Sequence, residues 1–212
     1  MTLAVLANET LKQEILSKGV PENVTIIWAD SLRSLLVFDA DAYMDLQFEQ
    51  DVERTEKLRR LSSKPVVVNA VAYTTKDIGS QFIRINAWPG MLKRPIVEVA
   101  AGNKEQEANA ESLFNSLQWK YQLVPDVPGF ITARILAMII NEAYHTWGAG
   151  VSSKEDIDIA MKLGTNYPMG PFEWAKMIGE SQVAELLHEL SRTDKRYLPA
   201  ESLTAQHQSL TN

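Results

Sequence analysis

The 212-residue chain contains no cysteine. Disulfides, a thiol nucleophile and Cys-ligated zinc are therefore excluded, and a reducing compartment suits it. Glycine is scarce where it would matter most: the first 78 residues hold one, Gly19. No excess of basic charge exists either. Lys+Arg 21 against Asp+Glu 27 gives −6. The deficit is even, with 13 basic against 16 acidic residues in 1–118 and 8 against 11 in 119–212. Without a basic face there is little to neutralise phosphates, so no nucleic-acid partner is expected. The start, MTLAVLANETLKQEIL, lacks a basic n-region, and its apolar run Leu3–Leu6 is too short for a signal-peptide core. No later run approaches a membrane span, so a cytoplasmic protein with no membrane partner is the expectation. What is present is ordinary for a packed globular chain: 45% hydrophobic and 23% charged residues.

Apolar runs alternate with amphipathic stretches as far as residue 118. Strands are expected at Thr2–Ala7, Val24–Ala29, Ala42–Phe48, Pro65–Val71, Gln81–Trp88 and Pro95–Ala100. Helices are expected at Asn8–Lys18, stopped by Gly19, at Asp51–Leu61, and after Asn103, where Gln106 completes a capping-box-like start. Tyr121–Val124 reads as one more strand and Pro125–Gly129 as a hinge. Beyond it the chain reads as helix: Phe130–Trp147, a helix opened by Ser152 and Glu155 and closed by Gly164, one from Pro171 to Gly179, and Ser181–Ser191, with a frayed tail at Gln206–Asn212. The fold class is thus an α/β domain with a mostly parallel sheet, residues 1–124, followed by an all-α domain, residues 125–212.

A parallel sheet opening strand–helix–strand suggests a dinucleotide site, which needs glycines between the first strand and its helix. Here that turn is Leu6-Ala7-Asn8-Glu9-Thr10, with no glycine and with an acid. At ~4 Å and an effective dielectric of ~20, each like-charge pair repels by about 4 kcal/mol, so a diphosphate would be opposed by Glu9. Asp30, ending the second strand, stands where an acid would bind ribose hydroxyls, but the favoured reading is a turn cap.

The run SSKEDIDIAMKLGTNYPMGPFEWAKMIG (Ser152–Gly179) resembles the C-terminal domain signature of 3-hydroxyacyl-CoA dehydrogenases, above all in AMKLG and YPMGPFE. PGFITARILAMIINEA (Pro128–Ala143), DADAYMDLQFEQDVERTEKL and KRPIVEVAAG resemble further family segments in the same order. The resemblance implies a shortened Rossmann-like NAD domain, a helical dimerisation domain, and oxidation of 3-hydroxyacyl-CoA by a His held by a Glu. Carried over by residue, that Glu falls on Glu98 and the His on Asn86, which cannot take a proton near neutral pH. The family's Asn in the PGF helix falls on Ala133, its substrate-binding Ser within Asn69–Ala72, and a late Asp on Lys176. The resemblance therefore implies a homologue with a degenerate site, keeping fold and homodimer, able to accept an acyl-CoA, and with no cofactor expected; NAD enters by resemblance only.

Other readings stay open. Glu98 is either an acid in a remodelled cleft or an ion-paired strand-end acid. Lys93 and Arg94 either meet CoA phosphates or are simply solvated. His145, His188 and His207 form no metal-ligand spacing, and no metal is expected. Thr74 and Thr75 read as turn residues, and Gly148-Ala149-Gly150 as a helix stop. Two alternatives remain: an active NAD-dependent dehydrogenase built around Glu98, and a non-enzymatic interaction subunit.

Overall fold

The computed structural model describes residues 1–209, and side chains as far as Ala205. The chain forms two compact units, Met1–Ile131 and the part from Thr132 onward.

The first unit is a seven-stranded sheet: β1 (Thr2–Leu6), β2 (Thr25–Ala29), β3 (Ala42–Asp45), β4 (Val66–Val68), β5 (Phe82–Ile85), β6 (Val97–Ala101) and β7 (Tyr121–Leu123), in the order β2-β1-β3-β4-β5-β6-β7. All neighbours are parallel except β5 and β6. Period-two alternation divides the strands between two cores. Leu3, Val5, Met44, Val67, Ile83 and Ile85 face one side, where α1 (Glu9–Lys18) adds Leu11 and Ile15. Ala4, Leu6, Tyr43, Val66, Val68 and Phe82 face the other, with Leu35 of α2 (Leu32–Val37) and Leu58 of α3 (Val52–Arg59). α4 (Thr75–Ile78) precedes β5, and α5 (Lys104–Ser116), capped by Asn103 on the amide of Gln106, connects β6 to β7. β2 ends the sheet on one side and β7 on the other.

Two fully buried charged side chains lie in these strands and both are paired. Asp45 accepts from Arg54 Nε and Nη2 at 2.9 and 2.8 Å. Arg84, wholly buried, donates to the carbonyls of Ala70 and Val71 and to Asp126, and its guanidinium lies 4.6 Å from the Phe130 ring. Asp126 also accepts from Thr75 N and Oγ1, and Gly129 N donates to Val71 O. Residues 125–129, read from sequence as a hinge opening the second domain, are thus tied to the first unit, which runs to Ile131.

The second unit comprises α6 (Thr132–Gly148), α7 (Lys154–Thr165), α8 (Pro171–Ile178), α9 (Glu180–Ser191), a 3-10 turn (Lys195–Tyr197) and α10 (Glu201–Ser209). Residues 206–209 of the expected frayed tail belong to α10; 210–212 lie outside the described residues. α7 starts from Ser153, not Ser152: Ser153 Oγ accepts from Asp156 N at 3.1 Å. It passes Gly164 and stops at Asn166, which takes the left-handed conformation (φ +57°). Its inward stripe is polar. Lys154 Nζ lies 4.1 Å from the Trp147 ring and 5.3 Å from Phe172. Asp158 caps α8 by accepting from Phe172 N and Glu173 N at 2.8 and 3.2 Å, and Lys162 pairs with Glu173. These positions recur every four residues, one helical face. Ile159 and Leu163 point outward and are exposed.

The YPMGPFE motif forms the junction between α7 and α8. Gly170 sits at φ −75°, open to any residue, so backbone freedom is not its purpose. A Cβ there would fall 2.2–2.4 Å from Asp158 side-chain atoms. The glycine makes room for the cap.

Candidate functional site

The C-terminal ends of parallel strands are where open α/β sheets hold ligands. Here that edge carries Asn86 just past β5. Because β6 is antiparallel to β5, the beginning of β6 returns to the same edge and sets Glu98 opposite. Asn86 N donates to Glu98 O at 3.1 Å, and Asn86 Nδ2 donates to Glu98 Oε2 at 2.8 Å. Asn86 is buried, whereas Glu98 is half-buried. The structure brings the two side chains together.

Asn69, at the end of β4, stitches the neighbouring strands. Its Oδ1 accepts from Ala87 N at 2.9 Å, and its Nδ2 donates to Leu46 O at 3.3 Å. Sequence reasoning passed over this residue as part of a stretch lacking a hydroxyl. It also missed Arg54 beside Asp45 and Asp126 beside Arg84. The available signal was a charge inside an apolar strand, AYMD or FIRI, which burial makes untenable without a partner. Burial pushes the Asp45 carboxyl upward, against the pull of Arg54.

At the first turn, Asn8 Oδ1 accepts from Leu11 N at 2.9 Å, and Glu9 lies at the first helical position with its carboxylate on Gln13. One helix N-terminal donor is thus spent on the chain's own cap, and an anion stands at the helix start. This turn does not fit a dinucleotide diphosphate. Asp30 is exposed, and its Oδ1 accepts from Ser34 Oγ at 2.7 Å and Ser31 Oγ at 3.1 Å. Those hydroxyls hold its carboxyl below the ordinary range. From β2 to β5 there are four strand spacings, about 19 Å at ~4.8 Å each, so Asp30 is remote from Asn86. Lys93 and Arg94 are exposed on the turn before β6, where Arg94 O accepts from Lys18 Nζ at 2.6 Å. Thr74 caps α4, and Thr75 bonds Asp126.

His145 and His188 are exposed on helices; the His207 side chain lies outside the described residues. Among the described residues no group of three His, Cys, Asp or Glu could hold a metal ion, and no helix is long and apolar enough to cross a membrane.

Residues 129–208 match the model of the 3-hydroxyacyl-CoA dehydrogenase C-terminal domain. Over 91% of its length the chain is 29% identical to a 3-hydroxybutyryl-CoA dehydrogenase of Bradyrhizobium diazoefficiens, covering 72% of that protein. Residues 129–208 thus belong to the 3-hydroxyacyl-CoA dehydrogenase C-terminal domain family, and the chain as a whole is similar to these dehydrogenases. A 3-hydroxyadipyl-CoA dehydrogenase of Escherichia coli is 37% identical over 50% of the chain, and the human mitochondrial hydroxyacyl-coenzyme A dehydrogenase 34% identical over 71%. The chain spans 23% and 49% of those two relatives. The crystal structure of (S)-3-hydroxybutyryl-CoA dehydrogenase from Ralstonia eutropha superposes with a TM-score of 0.75 at 20% identity, covering 98% of this chain and 93% of that one, which shows the shared fold.

Proposed function

We propose that this protein is a 3-hydroxyacyl-CoA dehydrogenase homologue that has given up NAD-linked oxidation while retaining the fold, a homodimer and a place for an acyl-CoA. The observation that carries the reading is the Asn86–Glu98 hydrogen bond. An imidazole in that place would take the hydroxyl proton and be steadied as a cation by the carboxylate. A carboxamide donates to Glu98 in the same geometry but has no basic nitrogen to receive a proton. The site can still hold and orient a polar group, since Asn86 has a second amide hydrogen and a carbonyl oxygen. The glycine-free turn bearing Glu9 supports the same reading, because a dehydrogenase without its hydride acceptor has no use for a base. The outward Ile159 and Leu163 of α7, with exposed Ile135 on α6, support a partner surface for a second copy. The cysteine-free chain supports a cytoplasmic setting.

Calorimetric titration of the protein with NAD, NADH and acetoacetyl-CoA tests the reading. Saturation by the thioester alone is expected. Saturable micromolar binding of NAD, or NADH formation from 3-hydroxybutyryl-CoA at high protein concentration, overturns it. Asn86→His is expected to leave NADH formation absent, because the cofactor turn is unchanged.

A further inference from the structure

Three aromatic side chains of the second unit converge on one cation. Lys154 Nζ lies 4.1 Å from the centre of the Trp147 ring, 5.2 Å from that of Tyr144 and 5.3 Å from that of Phe172. The rings are inclined to one another: Tyr144 meets Trp147 at 89°, Trp147 meets Phe172 at 80°, and Tyr144 meets Phe172 at 54°. They are the walls of a corner rather than a stack. The corner is built into the fold. Tyr144 and Trp147 are neighbours on one face of α6, Phe172 lies in the first turn of α8, and Tyr144 and Phe172 are buried. Its negative character is reinforced from behind. The Tyr144 hydroxyl donates to Glu180, and the carboxylates of Glu180 and Asp158 both act on that phenol. A hydroxyl that donates to a carboxylate leaves its ring richer in electrons, and electron-rich ring faces attract cations.

Two observations set Lys154 apart from a residue that simply packs. It occupies the first position of α7, where the helix dipole disfavours a cation, while Glu155 and Asp156 after it are the acids that such a place favours. Its fit is also uneven. Against Trp147 the ammonium is in direct contact, but from the other two walls it stands off. An N–C bond of about 1.5 Å and a carbon contact of about 3.5–4.0 Å together span about 5.0–5.5 Å. The Tyr144 and Phe172 rings therefore lie where they would touch methyl groups on the nitrogen. Lys154 is only half-buried, so rotation of its side chain returns the ammonium to water, where a compact N–H cation is strongly hydrated. A methylated ammonium has fewer N–H groups to hydrate and loses less on entering.

We infer that Tyr144, Trp147 and Phe172 form a binding site for a small methylated ammonium, a quaternary one above all, and that Lys154 is its displaceable resident. The ligand's methyl groups face Tyr144 and Phe172, and its charge takes the place of Nζ over Trp147. The site is separate from the Asn86–Glu98 pair and does not depend on the function proposed above.

The test is calorimetry on the full chain with choline and with its neutral isostere 3,3-dimethylbutan-1-ol, at fixed ionic strength, on the parent, Lys154→Ala and Lys154→Ala/Trp147→Leu. The parent is expected to bind choline saturably, Lys154→Ala about tenfold more tightly because no resident competes, and neither to bind the neutral alcohol. Trp147→Leu keeps an apolar wall but removes its π face. It is expected to weaken choline binding to Lys154→Ala at least tenfold, with circular dichroism melts reporting the fold. Should that variant not fold, the comparison of choline with its isostere decides. Absence of saturable choline binding to Lys154→Ala, or equal binding of choline and the alcohol, overturns the site. Choline binding that is equal in the parent and Lys154→Ala, or confined to Lys154→Ala, overturns Lys154 as a displaceable resident.

Discussion

Asp45 shows how a single residue constrains its surroundings. A carboxylate inside a sheet survives only with a partner, and the two forked bonds from Arg54 supply it. Arg54→Met is expected to lower stability by about 3–5 kcal/mol, as an uncompensated buried charge does. Asp45→Asn added to it should recover much of the loss, and urea denaturation of the three variants checks both. The sequence marks Asp45 as an oddity in an apolar strand but not its partner nine positions on, because the pairing depends on how α3 packs over β3. Asn86 and Glu98 were singled out through the family resemblance, and their contact rests on the antiparallel pairing of β5 and β6. Arg84 and Asp126, 42 residues apart, were not, since neither shows a local pattern.

At the scale of elements, α7 and α8 depend on one carboxylate and one glycine. Gly170→Ala would drive its Cβ into Asp158 and pull the cap from Phe172 N and Glu173 N. A loss of about 1–3 kcal/mol is expected from overpacking, read as a lower urea midpoint. Glu173 gives this region its response to acid. Lys162 and the amide of Gly170 hold its carboxyl below the ordinary range. Its folded pKa is below the unfolded one, so the stability it lends is present above the ordinary carboxylate range and is lost as pH falls through the lowered value. Glu173→Gln should therefore flatten the acid side of the stability profile, followed by circular dichroism on thermal melts. Asp45 acts in the opposite sense: its raised pKa means its contribution is greatest in acid and declines as pH rises through that value. The periodicities located every strand. Their ends ran long, as in Pro65–Val71 against Val66–Val68, because apolar burial continues beyond the last ladder hydrogen bond. α2 and α4 were missed because six and four residues are too short to show a helical period.

For the whole molecule, the placing of the unit boundary has a direct experimental form. A fragment cut after residue 124 leaves Arg84 buried without Asp126, whereas one ending at Ile131 keeps the pair, the Thr75 bonds and the Phe130 ring over the guanidinium. Residues 1–131 are expected to fold when expressed alone, and residues 1–124 to be less stable by several kcal/mol, on the scale of a buried ion pair broken on one side. Comparing their urea midpoints settles it. The sequence could not reveal this, since Pro, Asp and Gly in a short run look like a linker until Arg84 is seen beneath them.

The sheet also stops at β2, a five-residue strand, Thr-Ile-Ile-Trp-Ala, with no charge in it. A terminal strand of that kind offers an unprotected row of amides and carbonyls to any neighbour that approaches lengthwise. Colloidal behaviour should therefore be governed here: concentrated solutions are expected to cloud through this margin first, and Ile27→Lys to keep them clear.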